Sequence, residues 1–498
     1  MVVKITLNKE IQDLVLKLSE GKFSLVLERS GRLINEHPDT EILYILKGAA
    51  CQSLQQYANA IKSYQQVIDI NADNVNAYNN LGIVFDVTKD FISAIKNFEL
   101  AIKLSPNFPE AHYNLGNVYR KLNNFEAAIA SYTFALEGRH NFAEALCNKG
   151  SCLSSLGDET AAVDCFQKAI KINSDYIEAH NNMSVSLKNI GNFSSAKISA
   201  QKAIDLFPNY ASAHNNLGNS NLALGQINLA VGNYEAAVKI DPNLPKVFSN
   251  LANALLQKGD KISALENYKN ALEANPSDAQ AEHFINVLTA PNTPSAPMKY
   301  VEDLFNSYAM HFEQSLVNKL NYNFPYQLAK ILMQSVGTNS LGAVLDLGCG
   351  TGFMGMKINQ ICSQIVGVDV SKAMLNEAIK KDAYFRLERS DIIDYLLRAE
   401  LKFDYFIAAD VFNYIGDLTE VFHLIKKRNK RSGYLAFSTE HTDTKTYQLN
   451  TTGRYTHSKK YIEDLCSEYS YDLTHFSKVN LRKEGESFVT GGVYILAF

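Results

Sequence analysis

Gly342-Ala343-Val344-Leu345-Asp346-Leu347-Gly348-Cys349-Gly350-Thr351-Gly352, followed by a helical stretch from Phe353, decides how the second half of this chain folds. An apolar strand, a glycine-rich turn and a helix form the nucleotide-binding opening of a doubly wound α/β fold. A dinucleotide site wants its third glycine where Phe353 stands, and Asp346 would repel a pyrophosphate there while suiting an ammonium group. Downstream, Ile365–Asp369 reads as a second buried strand, ending in an acid able to accept both ribose hydroxyls, and Met374 is placed to pack on an adenine. Residues 403–408 make a fourth strand with Asp410 at its end over the cofactor, and residues 433–439 a fifth. Residues 471–480 and 487–498 alternate as an antiparallel hairpin around Lys483-Glu484-Gly485.

The first half is different. Shifted by 34 residues, the sequence matches itself from about 41 to 276. One column reads Gly48, Gly82, Gly116, Gly150, Ser184, Gly218 and Ala252; another is alanine from Ala60 to Ala264; a third is mostly aromatic, including Tyr64, Phe98, Tyr132, Phe166, Tyr234 and Tyr268. Small residues at such columns let antiparallel helices approach closely, with the aromatic filling the gap. The pattern resembles the tetratricopeptide repeat, which implies a stacked superhelix with a concave groove. Asn80, Asn114, Asn148, Asn182, Asn216 and Asn250 stand two places before each small-residue position. A carboxamide can accept from a peptide N–H and donate to a peptide C=O at once, so this ladder reads as a groove for an extended protein or peptide. Interhelical hydrogen bonding is the competing reading.

Three prolines, Pro291, Pro294 and Pro297, mark a short semi-rigid linker between the halves. The expected organisation is a weak helical repeat or cap at 1–40, seven repeats at 41–276, a capping helix at 277–289, the linker at 290–298, a helical lid at 299–340 and the α/β domain at 341–498.

The string Asp346-Leu-Gly-Cys-Gly-Thr-Gly352 resembles motif I of class I S-adenosylmethionine-dependent methyltransferases. This implies a seven-stranded, Rossmann-like sheet with the antiparallel hairpin at its edge. It also implies S-adenosylmethionine as cofactor, held by Asp346, Gly348, Gly350, Gly352, Asp369, Met374, Asp391, Ile392 and Asp410, with Asp391 accepting from the adenine amine. Tyr300–Ala309, Phe312, Leu320-Asn321-Tyr322, Asp410–Leu418, Ser438-Thr439-Glu440 and Gly453–Ser458 are similar to bacterial repeat-containing methyltransferases. That family has an acid where Asn306 stands and alanine where Thr456 does. Phe305, Tyr308 and Phe312 recur on one helix face that would cover the cofactor, or pack as core.

An unactivated acceptor would need a base tuned near neutrality. The candidates at the strand-end rim are Glu440, His457 and Tyr455, with Arg454 able to pair an anionic group and His441 nearby. No metal constellation appears. The 48 basic and 52 acidic residues disfavour nucleic-acid binding by bulk charge, no apolar run suits a membrane span, and seven cysteines without a C-x-x-C pair fit a reducing cytoplasm. Two rivals remain: an enzyme for a small molecule or saccharide whose repeats serve only assembly, and a non-catalytic scaffold with a vestigial methyltransferase domain.

Overall fold

The structure is a computed structural model describing residues 2–290, 293–309, 324–337, 340–444, 446–484 and 487–498. Pro291, Phe312, Leu320-Asn321-Tyr322 and Gly485 lie outside the described residues. The chain divides into two compact units, Met1–Gln226 and Ile227–Phe498.

In the first unit, antiparallel helix pairs recur at the repeat spacing, beginning with Glu41–Ser53 and Tyr57–Ile70 and continuing to Ile177–Asn189 and Phe193–Leu206. Residues 2–36 form two more helices. The glycine column is steric: a Cβ at Gly82 would sit 2.5 Å from the Phe98 ring, and one at Gly48 2.6 Å from Tyr64. Each aromatic is therefore seated against the backbone of the preceding helix, with its ring about 1% exposed or less. Asp90, Asn124, Asp158 and Asn192 cap the second helices by accepting from the backbone N–H three residues on.

The second unit opens with helices Ile227–Ile240, Val247–Lys258, Lys261–Ala274 and Ala279–Thr289. Then come helices Met298–Tyr308 and Phe324–Val336, and a sheet of β1 (Leu341–Leu347), β2 (Cys362–Asp369), β3 (Arg386–Arg389), β4 (Phe403–Ala408), β5 (Asn429–His441), β6 (Tyr447–Leu449), β7 (Tyr455–His457), β8 (Asp472–Glu484) and β9 (Ser487–Ala497). Strands run β3-β2-β1-β4-β5 in parallel; β9 pairs antiparallel with β5 and β8 with β9. These are the seven expected strands. Two three-residue strands are additional: β7 continues parallel from the carboxyl end of β5, and β6 lies antiparallel to β7. Near-continuous apolar runs in β1, β2 and β4 reflect burial on both faces.

The described part of the proline segment is not a free spacer. Pro294 O accepts from Gly416 N and Asp417 N, both at 2.8 Å, and Ala296 N donates to Tyr414 O at 3.0 Å. Thr293 Oγ1 lies 2.7 Å from the Tyr455 hydroxyl. The cause is apolar: Ala279, Val287, Ala296, Tyr300, Leu449 and Tyr455 form one buried cluster. It joins the Ala279–Thr289 helix to the sheet, so the boundary by compactness falls at Gln226/Ile227 and not at the prolines.

Candidate active site

A cavity of about 720 Å³ opens over the carboxyl ends of β1, β2 and β4. Gly348, Gly350 and Gly352 hold φ of +67°, +53° and +88°, a backbone shape that disfavours other residues. Gly348 N and Cys349 N both donate to Val368 O, at 2.8 and 3.0 Å, tying the turn to β2. A Cβ at Gly348 would meet Val411 at 2.6 Å, whereas one at Gly350 would enter open space.

Asp369 ends β2 and binds the turn from the other side. Its Oδ2 accepts from Gly350 N at 2.9 Å and its Oδ1 from Ser371 N at 2.8 Å. Burial pushes its pKa up to about 6 against the pull of these backbone donors. Asp391 faces the cavity, and its Oδ1 caps the helix Ile392–Arg398 by accepting from Ile393 N at 2.8 Å. Met374, fully buried, and Ile392 supply apolar wall.

The helix Met298–Tyr308 forms the cover, with Leu304, Phe305 and Tyr308 lining the cavity. Phe305 packs edge-on against Tyr414 at 5.4 Å. Asn306 holds this helix in place: its Oδ1 accepts from Ser371 Oγ at 2.8 Å and Ala373 N at 3.3 Å, a role an acid would also fill. Tyr300 stacks on His283 at 4.3 Å, and His283 Nε2 bonds Gly453 O at 2.8 Å.

Two expected cofactor residues do not line the cavity. Asp346 is buried beneath the turn, where its Oδ2 accepts from the Tyr384 hydroxyl at 2.7 Å. Burial pushes its pKa up to about 7, the phenol pulls it down, and the Asp369 charge adds to the rise. A Cβ at Gly352 would meet the Tyr384 ring at 3.1 Å and Ala378 at 3.3 Å. Tyr384 was missed in the sequence, although glycines at 352, 355 and 367 all make room for its ring. Its oxygen also accepts from Gly355 N at 3.1 Å.

The opposite pole of the cavity is built on a charged cluster. Arg482 Nη1 donates to both Asp410 oxygens at 2.8 and 2.9 Å, and its Nη2 pairs with Glu440. Arg454 Nη1 lies 3.6 Å from Glu440. Asp410, at φ +59°, donates its N–H to Ser438 Oγ and accepts from Asn413 Nδ2 at 3.1 Å. Arg454, Arg482 and Lys483 face the cavity; Glu440 is 5% exposed behind them, with burial pushing its pKa up against both guanidinium groups. Arg482 was missed because one arginine in an alternating edge strand carries no local signal.

His457 and Tyr455 are not at the rim. His457 is wholly buried with Nε2 2.9 Å from Gly416 O, and burial drags its pKa down to about 4. Tyr455, also wholly buried, binds Thr293. Thr293 of the docked proline segment covers Tyr455, while Tyr447 and Tyr461 pack on His457.

The asparagine ladder is partly turned inward. Asn114 Nδ2 donates to Asn79 Oδ1 at 3.0 Å, Asn148 Nδ2 to Asn117 Oδ1 at 2.9 Å, Asn182 Nδ2 to Ser151 Oγ at 3.3 Å and Asn216 Nδ2 to Asn181 Oδ1 at 2.9 Å. These four amides stitch neighbouring first helices together. Asn80 and Asn250 are half-buried like the others.

A methyltransferase-domain family matches residues 338–484. Tetratricopeptide-repeat families match segments between 48 and 278, including 109–137, 143–176 and 177–210. An uncharacterised methyltransferase of Schizosaccharomyces pombe is 24% identical over 178 residues, 32% of this chain and 62% of that protein. A malonyl-[acyl-carrier protein] O-methyltransferase of Legionella pneumophila is 32% identical over 128 residues, 24% of this chain and 45% of that protein. The chain thus spans less than two thirds of either curated relative. Among solved structures, YrrB, described as a tetratricopeptide-repeat protein with an unusual peptide-binding site, is 24% identical at TM-score 0.33, covering 38% of this chain and 98% of its own. The Cut9–Hcn1 assembly is 17% identical at TM-score 0.42, covering 54% and 52%. The chain therefore combines segments that match tetratricopeptide-repeat families with one that matches a methyltransferase-domain family. No helix among the described residues is long and apolar enough to cross a membrane.

Proposed function

We propose that this chain is an S-adenosylmethionine-dependent methyltransferase acting on an acceptor, or a carrier-bound substrate, that its repeats recruit. The observation that carries this reading is one cavity mouth shared by the Gly348–Gly350 turn, Asp369 and Asp391. The residues fit the cofactor by their chemistry: carboxylates accept hydroxyls and an exocyclic amine but repel phosphate, and the space a Cβ at Gly350 would fill is open. Gly348, Gly350, Asp369, Met374, Asp391 and Ile392 would hold its nucleoside, with Asp410 and Tyr308 nearby. When bound, the cofactor supplies an electrophilic methyl group on a cationic sulfur. Each Asp369 oxygen spends one lone pair on the backbone and keeps capacity for a hydroxyl. Phe305, Tyr308 and Tyr414 line the cavity as aromatic wall, whose electron-rich rings suit a nearby cation. Holding an acceptor in line then supplies much of the acceleration. The free thiols suit the reducing cytoplasm.

Isothermal titration of the full chain with S-adenosylhomocysteine tests the cofactor. Absence of binding at millimolar ligand would instead support the vestigial scaffold. For the groove, joint replacement of Asn148, Asn182 and Asn216 by alanine should lower turnover on the acceptor found by methyl labelling of cell extract. Unchanged turnover would favour repeats used only for assembly with a small-molecule or saccharide acceptor, a reading that the inward amide bonds support.

A further inference from the structure

The β6–β7 hairpin lies outside the seven expected strands, and its tip reaches two places at once. Asn450 N donates to Arg454 O and Gly453 N to Asn450 O, both at 2.9 Å, closing residues 450–454 into a tight turn. Thr452 and Arg454 of that turn line the cavity, and Arg454 Nη1 lies 3.6 Å from Glu440. On its other side the turn meets the helix Ala279–Thr289. Gly453 holds φ +78°, and a Cβ there would meet the Phe284 ring at 3.2 Å and both His283 Nε2 and the Tyr300 hydroxyl at 3.3 Å. A bare left-handed backbone is thus wedged among three rings, a place that glycine fills without strain.

One of those rings does more than pack. His283 is wholly buried, and its Nε2 bonds Gly453 O at 2.8 Å. A carbonyl only accepts, so Nε2 carries the proton; burial lowers the imidazole pKa against the pull of that bond. The same ring stacks on Tyr300 at 4.3 Å, and Tyr300 belongs to the cover helix Met298–Tyr308 and lines the cavity. One buried side chain therefore holds two walls, the cover helix by its face and the hairpin tip by its N–H. The cofactor side of the cover helix has anchors of its own: Asn306 takes Ser371 Oγ and Ala373 N, and Glu302 pairs with Arg389 at 2.6 Å. His283 lies outside the matched repeat and methyltransferase segments.

We propose that His283 is a positioning residue for methyl transfer: its N–H fixes the 450–454 turn, and with it Thr452 and Arg454, against the cover helix at the end of the cavity where the acceptor sits. This rests on the methyltransferase reading, which gives the Gly348, Asp369 and Asp391 end to the cofactor's nucleoside and leaves the Thr452 and Arg454 end to the acceptor. His283 touches neither molecule. Its loss should leave cofactor binding alone and misplace the acceptor, and a misplacement of about 1 Å can cost about 100-fold in rate.

The test uses the full chain, methyl-labelled S-adenosylmethionine and cell extract as the source of acceptor, with label formed in the absence of added chain subtracted. His283→Phe keeps a ring on Tyr300 and loses the N–H; His283→Gln keeps an N–H donor and loses the ring. The first should bind S-adenosylhomocysteine within about threefold of wild type and keep its apparent KM for the cofactor, while labelling at saturating cofactor falls about 10–100-fold. The second should bring labelling back to within about threefold of wild type. Hydrogen exchange without ligand gives an independent readout: the amides of residues 450–454 should exchange at least about tenfold faster in His283→Phe. If that variant fails to fold, Gly453→Ala parts the same contact from the other side and carries the same expectations for binding, labelling and exchange. Wild-type labelling by His283→Phe, equal loss in both His283 variants, or unchanged exchange at the turn would overturn the proposal. A wild-type chain that binds no S-adenosylhomocysteine would overturn the methyltransferase reading and the role in transfer with it, whereas the exchange result still decides whether His283 holds the turn.

Discussion

Replacing Tyr384 by phenylalanine removes one oxygen and leaves the slot made by Gly352, Gly355 and Gly367 filled. Two buried groups lose their partner: the Asp346 carboxyl, 2.7 Å away, and the Gly355 N–H, 3.1 Å away. Asp346 titrates at about 7 in the fold instead of 3.8, so the native state holds its proton more tightly than the unfolded chain does. Stability contributed by that proton is present at low pH and is lost as pH rises from about 4 to about 7, on the order of 4 kcal/mol. The phenol opposes this loss by binding the charged form. At pH 5 Asp346 is neutral with or without the phenol, and the substitution should cost about 2 kcal/mol, about 1 for each of the two hydrogen bonds lost. At pH 8.5 the wild-type carboxylate is charged, and losing its donor together with the Gly355 partner should cost about 4 kcal/mol. Calorimetry of the full chain should therefore show the transition of the Ile227–Phe498 unit falling by about 5 °C at pH 5 and about 10 °C at pH 8.5. A drop that is equal at both pH values, or larger at pH 5, would refute the assignment of Tyr384 as the donor supporting a buried carboxylate.

In the repeats, Gly82→Ala pushes a methyl to within 2.5 Å of the Phe98 ring and should destabilise the first unit by about 1–3 kcal/mol. Gly31→Ala, with nothing within 4 Å, should stabilise it by about 0.5–1 kcal/mol; urea midpoints of the two variants moving the same way would contradict this. Asp369→Asn puts an amide where both oxygens accept backbone donors, and should weaken S-adenosylhomocysteine by at least about tenfold in titration calorimetry. Tyr455→Phe loses only the bond to Thr293, so turnover should stay within about threefold while stability falls by about 1 kcal/mol; a hundredfold loss of turnover would return Tyr455 to a chemical role.

Much of this molecule was legible because its signals are local. The turn at 348–352 reads from its glycines, the strand before it from an unbroken apolar run, and the repeat columns from steric needs that recur within one helix pair. What escaped depended on contacts distant in sequence. Alternation places Asp346 on a face of β1 but cannot show that Tyr384, 38 residues later, takes the carboxylate before any ligand does. Tyr455 and His457 read as rim residues, but Thr293, 162 residues back, bonds the Tyr455 hydroxyl, and Tyr447 and Tyr461 pack on the His457 ring. The asparagine spacing was visible, whereas the choice of partner, 31 to 35 residues back, belongs to the stacking of whole units.

The way Thr293–Pro297 is bonded down bears on how such chains are cut and recombined. A chimera spliced at the prolines would strip Phe284 and His283 from Tyr300, uncover Leu449 and Tyr455, and leave a raw apolar wound on the transplanted α/β domain. The portable cassette begins at Ile227: whichever lineage or engineer exchanges this α/β domain inherits its last helical hairpins as part of the same graft.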